Sequence, residues 1–353
     1  LDATWISDAL VGHDTLGVAV DREVRLRLDG PEGHLCDRVL VPETAGARTF
    51  LTDPDAEPLR RSIRELFGLL DEVGGRCGLR VLTFSTSTTG FYANIAASRM
   101  QVGQVPRGNR DSLRLRDEIG LMSRLIGDGT GKVRVPAAFV SVPRTRSGAV
   151  ALDLSPNTSA AWRVLAADPT PTHTPSVYPP HDAPIEAATS LAHILLHEGL
   201  HTVAPLTEAD GNAMAAPIPN TNIEVAWLEE AIVDTLSSWP GVITATGRSL
   251  GFAVDEQPHL DWWQRDHPYS VFNATLRALL QLGGIDPTDP AEYRRAVQLL
   301  RRQPAVRVPR RLARAIAQAH GLAMSAVEPI ESAIWEFGGN PSKTYLVTSA
   351  LGK

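Results

Sequence analysis

Leu59, Ile63, Leu66, Leu70 and Val73 recur every three or four residues and stop at Gly74-Gly75, a pattern that predicts an amphipathic helix closed by glycine. Apolar runs at 79–88 (LRVLTFSTST), 133–142 (VRVPAAFVSV) and 148–154 (GAVALDL) read as strands, with a further helix expected near 111–126. Residues 1–167 are therefore expected to form a mixed α/β part. From 168 to 184 the chain reads DPTPTHTPSVYPPHDAP, whose six prolines exclude a helix interior or a central strand, so a long Pro-rich loop is expected. Helical spacing then dominates at 185–203, 223–238, 270–282, 290–302, 309–320 and 323–337, punctuated by Gly283-Gly284 and Asp286-Pro287. The predicted class is α+β, with a mainly helical part over 185–353 and any chemistry at the junction of the two parts.

Composition narrows the function classes. With 353 residues, 43% of them hydrophobic and 21% charged, the chain is neither collagen-like, coiled-coil nor mainly disordered. A net charge of -6 argues against nonspecific nucleic-acid binding, which draws on a basic surface. No apolar run approaches the ~18 residues of a membrane span, and the opening LDATWISDALVGHD lacks a basic start followed by an apolar core. A cytoplasmic protein acting on peptides or proteins is the expectation, although a first residue other than Met leaves room for a removed signal peptide. Cys36 and Cys77 are the only cysteines, enough for one bridge but too few for a disulfide scaffold or a cysteine-based zinc site. Any metal site must therefore rest on histidine and carboxylate.

Residues 197–201 read HEGLH. Positions i and i+4 share one helix face, so His197 and His201 can offer their imidazoles to one metal ion. Glu198 lies about 100° around the helix, within reach of a water held by that ion. The surrounding AATSLAHILLHEGLHTVA contains no proline, and Ile194, Leu195 and Leu200 supply a buried side. His193 continues the stripe one turn earlier and is expected to be packed or hydrogen-bonded behind the site. Zinc needs a third protein ligand, and Glu230 in the helical segment IEVAWLEEAIVDTL can complete a His2Glu set with one open position. Asp234, one turn on, can accept the spare N–H of a ligand histidine. Glu229 points about 100° away from Glu230, so the two are not expected to bind the same ion.

The combination of HEGLH with Trp227-Leu228-Glu229-Glu230 and Glu230-Ala231-Ile232-Val233-Asp234 resembles the gluzincin zinc metallopeptidases, including the thermolysin-like and aminopeptidase-like branches. The resemblance implies a zincin-like fold, His197, His201 and Glu230 as zinc ligands, Glu198 as general base and Asp234 as the partner of a ligand histidine. Ala231 stands where the family motif has glycine. The segment YSVFNATLRALL is similar to the tyrosine-bearing helix of the aminopeptidase-like branch, which implies Tyr269 as the donor to the oxyanion of the tetrahedral intermediate. GAVALDL is the expected edge strand for pairing with substrate backbone, and Trp262, Trp263 and Phe272 are candidates for a side-chain pocket. The metzincin extension is excluded, because Ala204 and Thr207 occupy its Gly and His positions.

Two other classes fit the same residues. His/His/Glu is also the facial triad of iron(II) oxygenases that use 2-oxoglutarate, and these need an arginine to hold the cosubstrate. The chain has 31 Arg and three Lys, an excess that codon bias explains unless a particular arginine faces the metal; eight of these arginines fall between Arg294 and Arg314. A noncatalytic zinc-stabilised binding protein is the third class, though a scaffold has no use for Glu198.

Overall fold

The computed structural model describes residues 39–40, 57–74, 80–84, 138–141, 150–168, 171, 173–175, 181–203, 223–266, 270–302, 307–337 and 345–351. These residues are mainly helical, with a small mixed sheet. Strands β1 (Val39–Leu40), β2 (Arg80–Phe84), β3 (Ala138–Ser141) and β4 (Val150–Leu154) are ordered β1-β2-β4-β3. The β1/β2 and β2/β4 pairs are parallel, and β3 runs antiparallel to β4. This order corrects one expectation: the GAVALDL strand is internal, paired on both sides, and among the described strands the edge beside it is β3.

Among the described helices, α1 (Glu57–Gly74) precedes β2, α2 (Pro156–Ala167) follows β4, and α3 (Pro184–His201) carries HEGLH. Then come α4 (Ile223–Ser237), α5 (Val242–Leu250), α6 (Glu256–Asp266), α7 (Ser270–Leu282), α8 (Pro290–Arg301) and α9 (Val308–Ala319). A short 3-10 turn at Met324–Ala326 leads into α10 (Val327–Phe337), and α11 (Tyr345–Ala350) follows. The helix expected near 111–126 lies outside the described residues. None of the described helices is long and apolar enough to cross a membrane.

The six helices expected after residue 184 are present, while α2, α5, α6 and α11 were not foreseen. Ser155 caps α2 by accepting the Thr158 N–H at 3.2 Å, and Pro156 occupies the first turn, where its missing N–H costs nothing. Glycines of positive φ bracket α5, at Gly241 (84°) and Gly251 (80°), and Glu256 of α6 accepts the Gly241 and Thr244 N–H groups at the start of α5.

One apolar core runs from Leu59 to Leu351 and includes all five periodic residues of α1. Helix α3 sits at its centre, against α1, α2, α4, α5, α6 and β3, and is therefore buried on nearly every side rather than on one stripe. Gly199 allows this approach, because a Cβ there would lie 2.5 Å from Leu70 Cδ1 and 2.8 Å from Cδ2. Leu70 is fully buried, so its side chain can yield only by displacing core neighbours. Gly199→Ala gains about 1 kcal/mol of helix propensity, yet overpacking of about 1–3 kcal/mol is expected to leave the variant less stable in urea unfolding.

Candidate metal centre

The packing of α3 on α4 brings HEGLH and WLEEA together. His197 Nε2 lies 3.3 Å from Glu230 Oε2, and His201 Nε2 lies 3.5 Å from the same oxygen. Two ligand atoms on a tetrahedral zinc with bonds of ~2.0–2.1 Å stand about 3.3–3.4 Å apart. Both histidine–Glu230 separations are close to that value, and the three donor atoms lie within 4.8 Å of one another, so the residues present fit a zinc ion. His197 and His201 are buried, while Glu230 is partly exposed.

The other imidazole nitrogens are held from behind. His201 Nδ1 pairs with Glu229 Oε1 at 2.9 Å. Glu229 is in turn engaged by the buried Arg301 guanidinium of α8, which also donates to the Leu200 carbonyl. His197 Nδ1 has Ser237 Oγ at 3.4 Å and Asp234 Oδ1 at 3.7 Å, the latter beyond ordinary hydrogen-bond reach. Asp234 is instead fixed by Trp263 Nε1 at 2.7 Å and Asn273 Nδ2 at 2.5 Å. Asp234 thus stands on the Nδ1 side of His197, as expected, with Ser237 nearer, while the carboxylate hydrogen-bonded to the other candidate ligand, His201, is Glu229. Adjacent carboxylates straddle His201, Glu230 on its Nε2 side and Glu229 on its Nδ1 side. The 100° between them on α4 separates their roles.

The local field calls for positive charge. Burial works against a charged His201, but the Glu230 and Glu229 carboxylates outweigh it and raise its pKa to about 10. Burial likewise opposes ionisation of Glu230 and Glu229, yet His201 and His197 hold Glu230 well below the carboxylate range, and Arg301 with His201 lowers Glu229. Glu198 behaves differently: burial raises its pKa more than His201 and His197 lower it. A carboxyl pushed upward beside a cation-seeking cluster has the character of a proton acceptor.

His193 Nδ1 faces His259 Nε2 at 2.8 Å and its Nε2 faces Ser237 Oγ at 3.2 Å. His193, His197 and Asp234 make a second grouping with metal-ligand spacing. Trp263 packs against His193, ring centroids 4.3 Å apart. Tyr269 lies outside the described residues, and its role stays an expectation. Sequence reasoning did not single out Ser237 or Asn273, and it reached Arg301 only as one residue of an arginine-rich stretch and Glu229 only as the neighbour set apart from the ion.

Comparison with protein-family models, with curated proteins and with solved structures finds no match to this chain.

Proposed function

We propose that the protein is a single-zinc hydrolase of peptide or other amide bonds, with a zincin-like fold of gluzincin type. The observation that carries this reading is the convergence of His197 Nε2 and His201 Nε2 on Glu230 Oε2, at 3.3 and 3.5 Å, with Glu198 in the field of the same three residues. The antiparallel edge strand β3 lies against α3, where an extended substrate could add a strand. A zinc ion bound by the three residues would supply Lewis-acid activation of water and of the scissile carbonyl. Glu198 takes the proton of the attacking water and passes it to the leaving amine. Glu229, locked by Arg301, keeps the His201 proton on Nδ1, and Ser237 stands at the corresponding atom of His197. Tyr269 is the proposed donor to the oxyanion.

Both terminal nitrogens of Arg301 are engaged, by Glu229 and by the Leu200 carbonyl, which favours a structural role over a cosubstrate clamp. Metal-stripped protein reloaded with zinc is expected to retain a single ion and to cleave an unstructured polypeptide, with both properties lost in His201→Ala. Three results would overturn the proposal: succinate formed from 2-oxoglutarate with iron(II), zinc bound without cleavage of any peptide, or cleavage that persists without metal.

A further inference from the structure

Behind His197 a line of buried polar side chains leads away from the metal centre. Ser237 Oγ lies 3.4 Å from His197 Nδ1 and 3.2 Å from His193 Nε2, and His193 Nδ1 lies 2.8 Å from His259 Nε2. Ser237, His193 and His259 are all buried, so each proton along the line needs an acceptor. His259 forms part of the wall of a cavity of about 420 Å³, with His181, Glu186, Asp255 and Trp262.

A metal ion on His197 Nε2 needs the lone pair of that atom, which leaves the imidazole proton on Nδ1. Nδ1–H then donates to Ser237 Oγ. The serine proton can go to the Asp234 carbonyl at 3.3 Å or to His193 Nε2 at 3.2 Å. The carbonyl also accepts the helical Ser238 N–H at 2.9 Å, and an unprotonated imidazole nitrogen is the more basic acceptor of the two, which favours His193. Accepting at Nε2 places the His193 proton on Nδ1, where it donates to His259 Nε2. Burial, with His181 beside it, lowers the His259 pKa to about 4, so this ring is neutral and its Nε2 can accept.

Resting on the metal-centre reading above, we propose that His259, His193 and Ser237 are positioning residues: they form one directed hydrogen-bond chain that fixes the His197 proton on Nδ1, leaves Nε2 for the metal, and joins that ligand to the wall of the cavity. The reciprocal consequence is that a metal ion at His197 imposes a single tautomer, Nδ1–H, on both His193 and His259.

Histidine-¹⁵N spectra of the full chain, recorded with and without zinc, read each tautomer directly. With zinc bound, His197 and His201 are expected to show metal-shifted Nε2 signals, and His193 and His259 to carry their protons on Nδ1. In Ser237→Ala the metal still binds through Nε2, zinc affinity falls about 10–100-fold, and His193 and His259 lose the single tautomer; Ser237→Thr, which keeps the hydroxyl, restores both. A His193 proton on Nε2 with zinc present would overturn the proposal. So would unchanged tautomers and affinity in Ser237→Ala, or a second zinc ion shifting His193 Nε2 as a ligand. In those three cases the metal centre itself stands. Absence of any zinc shift at His197 and His201 would instead overturn the metal-centre reading and this proposal with it.

Discussion

Glu198→Gln is expected to keep the metal and to lose about 10²–10⁴-fold in turnover, the range for removing a positioned general base. The amide matches the carboxylate in size and retains hydrogen-bonding atoms, so α3 should fold unchanged. Glu198 is not among the three residues whose donor atoms converge, and metal content should therefore stay near that of the parent. What disappears is basicity. Burial lifts the Glu198 carboxyl above its usual range, with the neighbouring His201 and His197 acting in the opposite direction, and a glutamine side chain cannot take up a proton at any accessible pH. Zinc content by elemental analysis and peptide cleavage followed in parallel would check the result. Cleavage at the parental rate would remove Glu198 from the mechanism, and loss of zinc would place it among the ligands instead.

The helices that carry the candidate donors were readable because α3 and α4 are long apolar segments whose ends are marked by proline and polar clusters. The pairing of His197 with His201 followed from helix geometry, since i and i+4 must share a face, whereas the approach of Glu230 depends on the packing of α4 on α3. Elements announced by capping rather than by periodicity were missed. Ser155-Pro156 resembles a turn, yet with the serine as cap and the proline in the first turn it opens α2. EQPHLDWWQRD has no regular apolar period to mark a helix, yet it forms α6, whose Glu256 caps α5 while His259 and Trp263 reach His193 and Asp234. Strand order was hidden for another reason: GAVALDL becomes internal only through pairing with β2, some 70 residues earlier in the chain. The roles of Glu229 and Glu230 likewise depend on what approaches from other helices. Sequence spacing shows that they diverge, and only the arrival of Arg301 from α8 shows that Glu229 is held as the partner of His201.

Arg301→Met is expected to destabilise the fold by about 3–5 kcal/mol, the cost of leaving a buried carboxylate without its cation. The guanidinium is 1% exposed and Glu229 3% exposed, so water does not replace the lost contact as it would at the surface. Methionine fills part of the volume but donates nothing to Glu229 or to the Leu200 carbonyl, which lies inside the HEGLH segment. Glu229 can then relieve its charge by taking up a proton, but a protonated Glu229 is a weaker acceptor for His201 Nδ1. Zinc affinity should fall about 10–100-fold as a result, as for other outer partners of metal-bound histidine. Adding Glu229→Gln to Arg301→Met removes the stranded charge and should return much of the stability while leaving zinc binding weak. Urea unfolding and zinc titration of the two single variants and the double variant make a thermodynamic cycle. Additive losses in that cycle would mean that Arg301 stabilises the core without acting through Glu229, whereas recovery of stability without recovery of affinity identifies the Arg301–Glu229–His201 line as the support of the metal ligand.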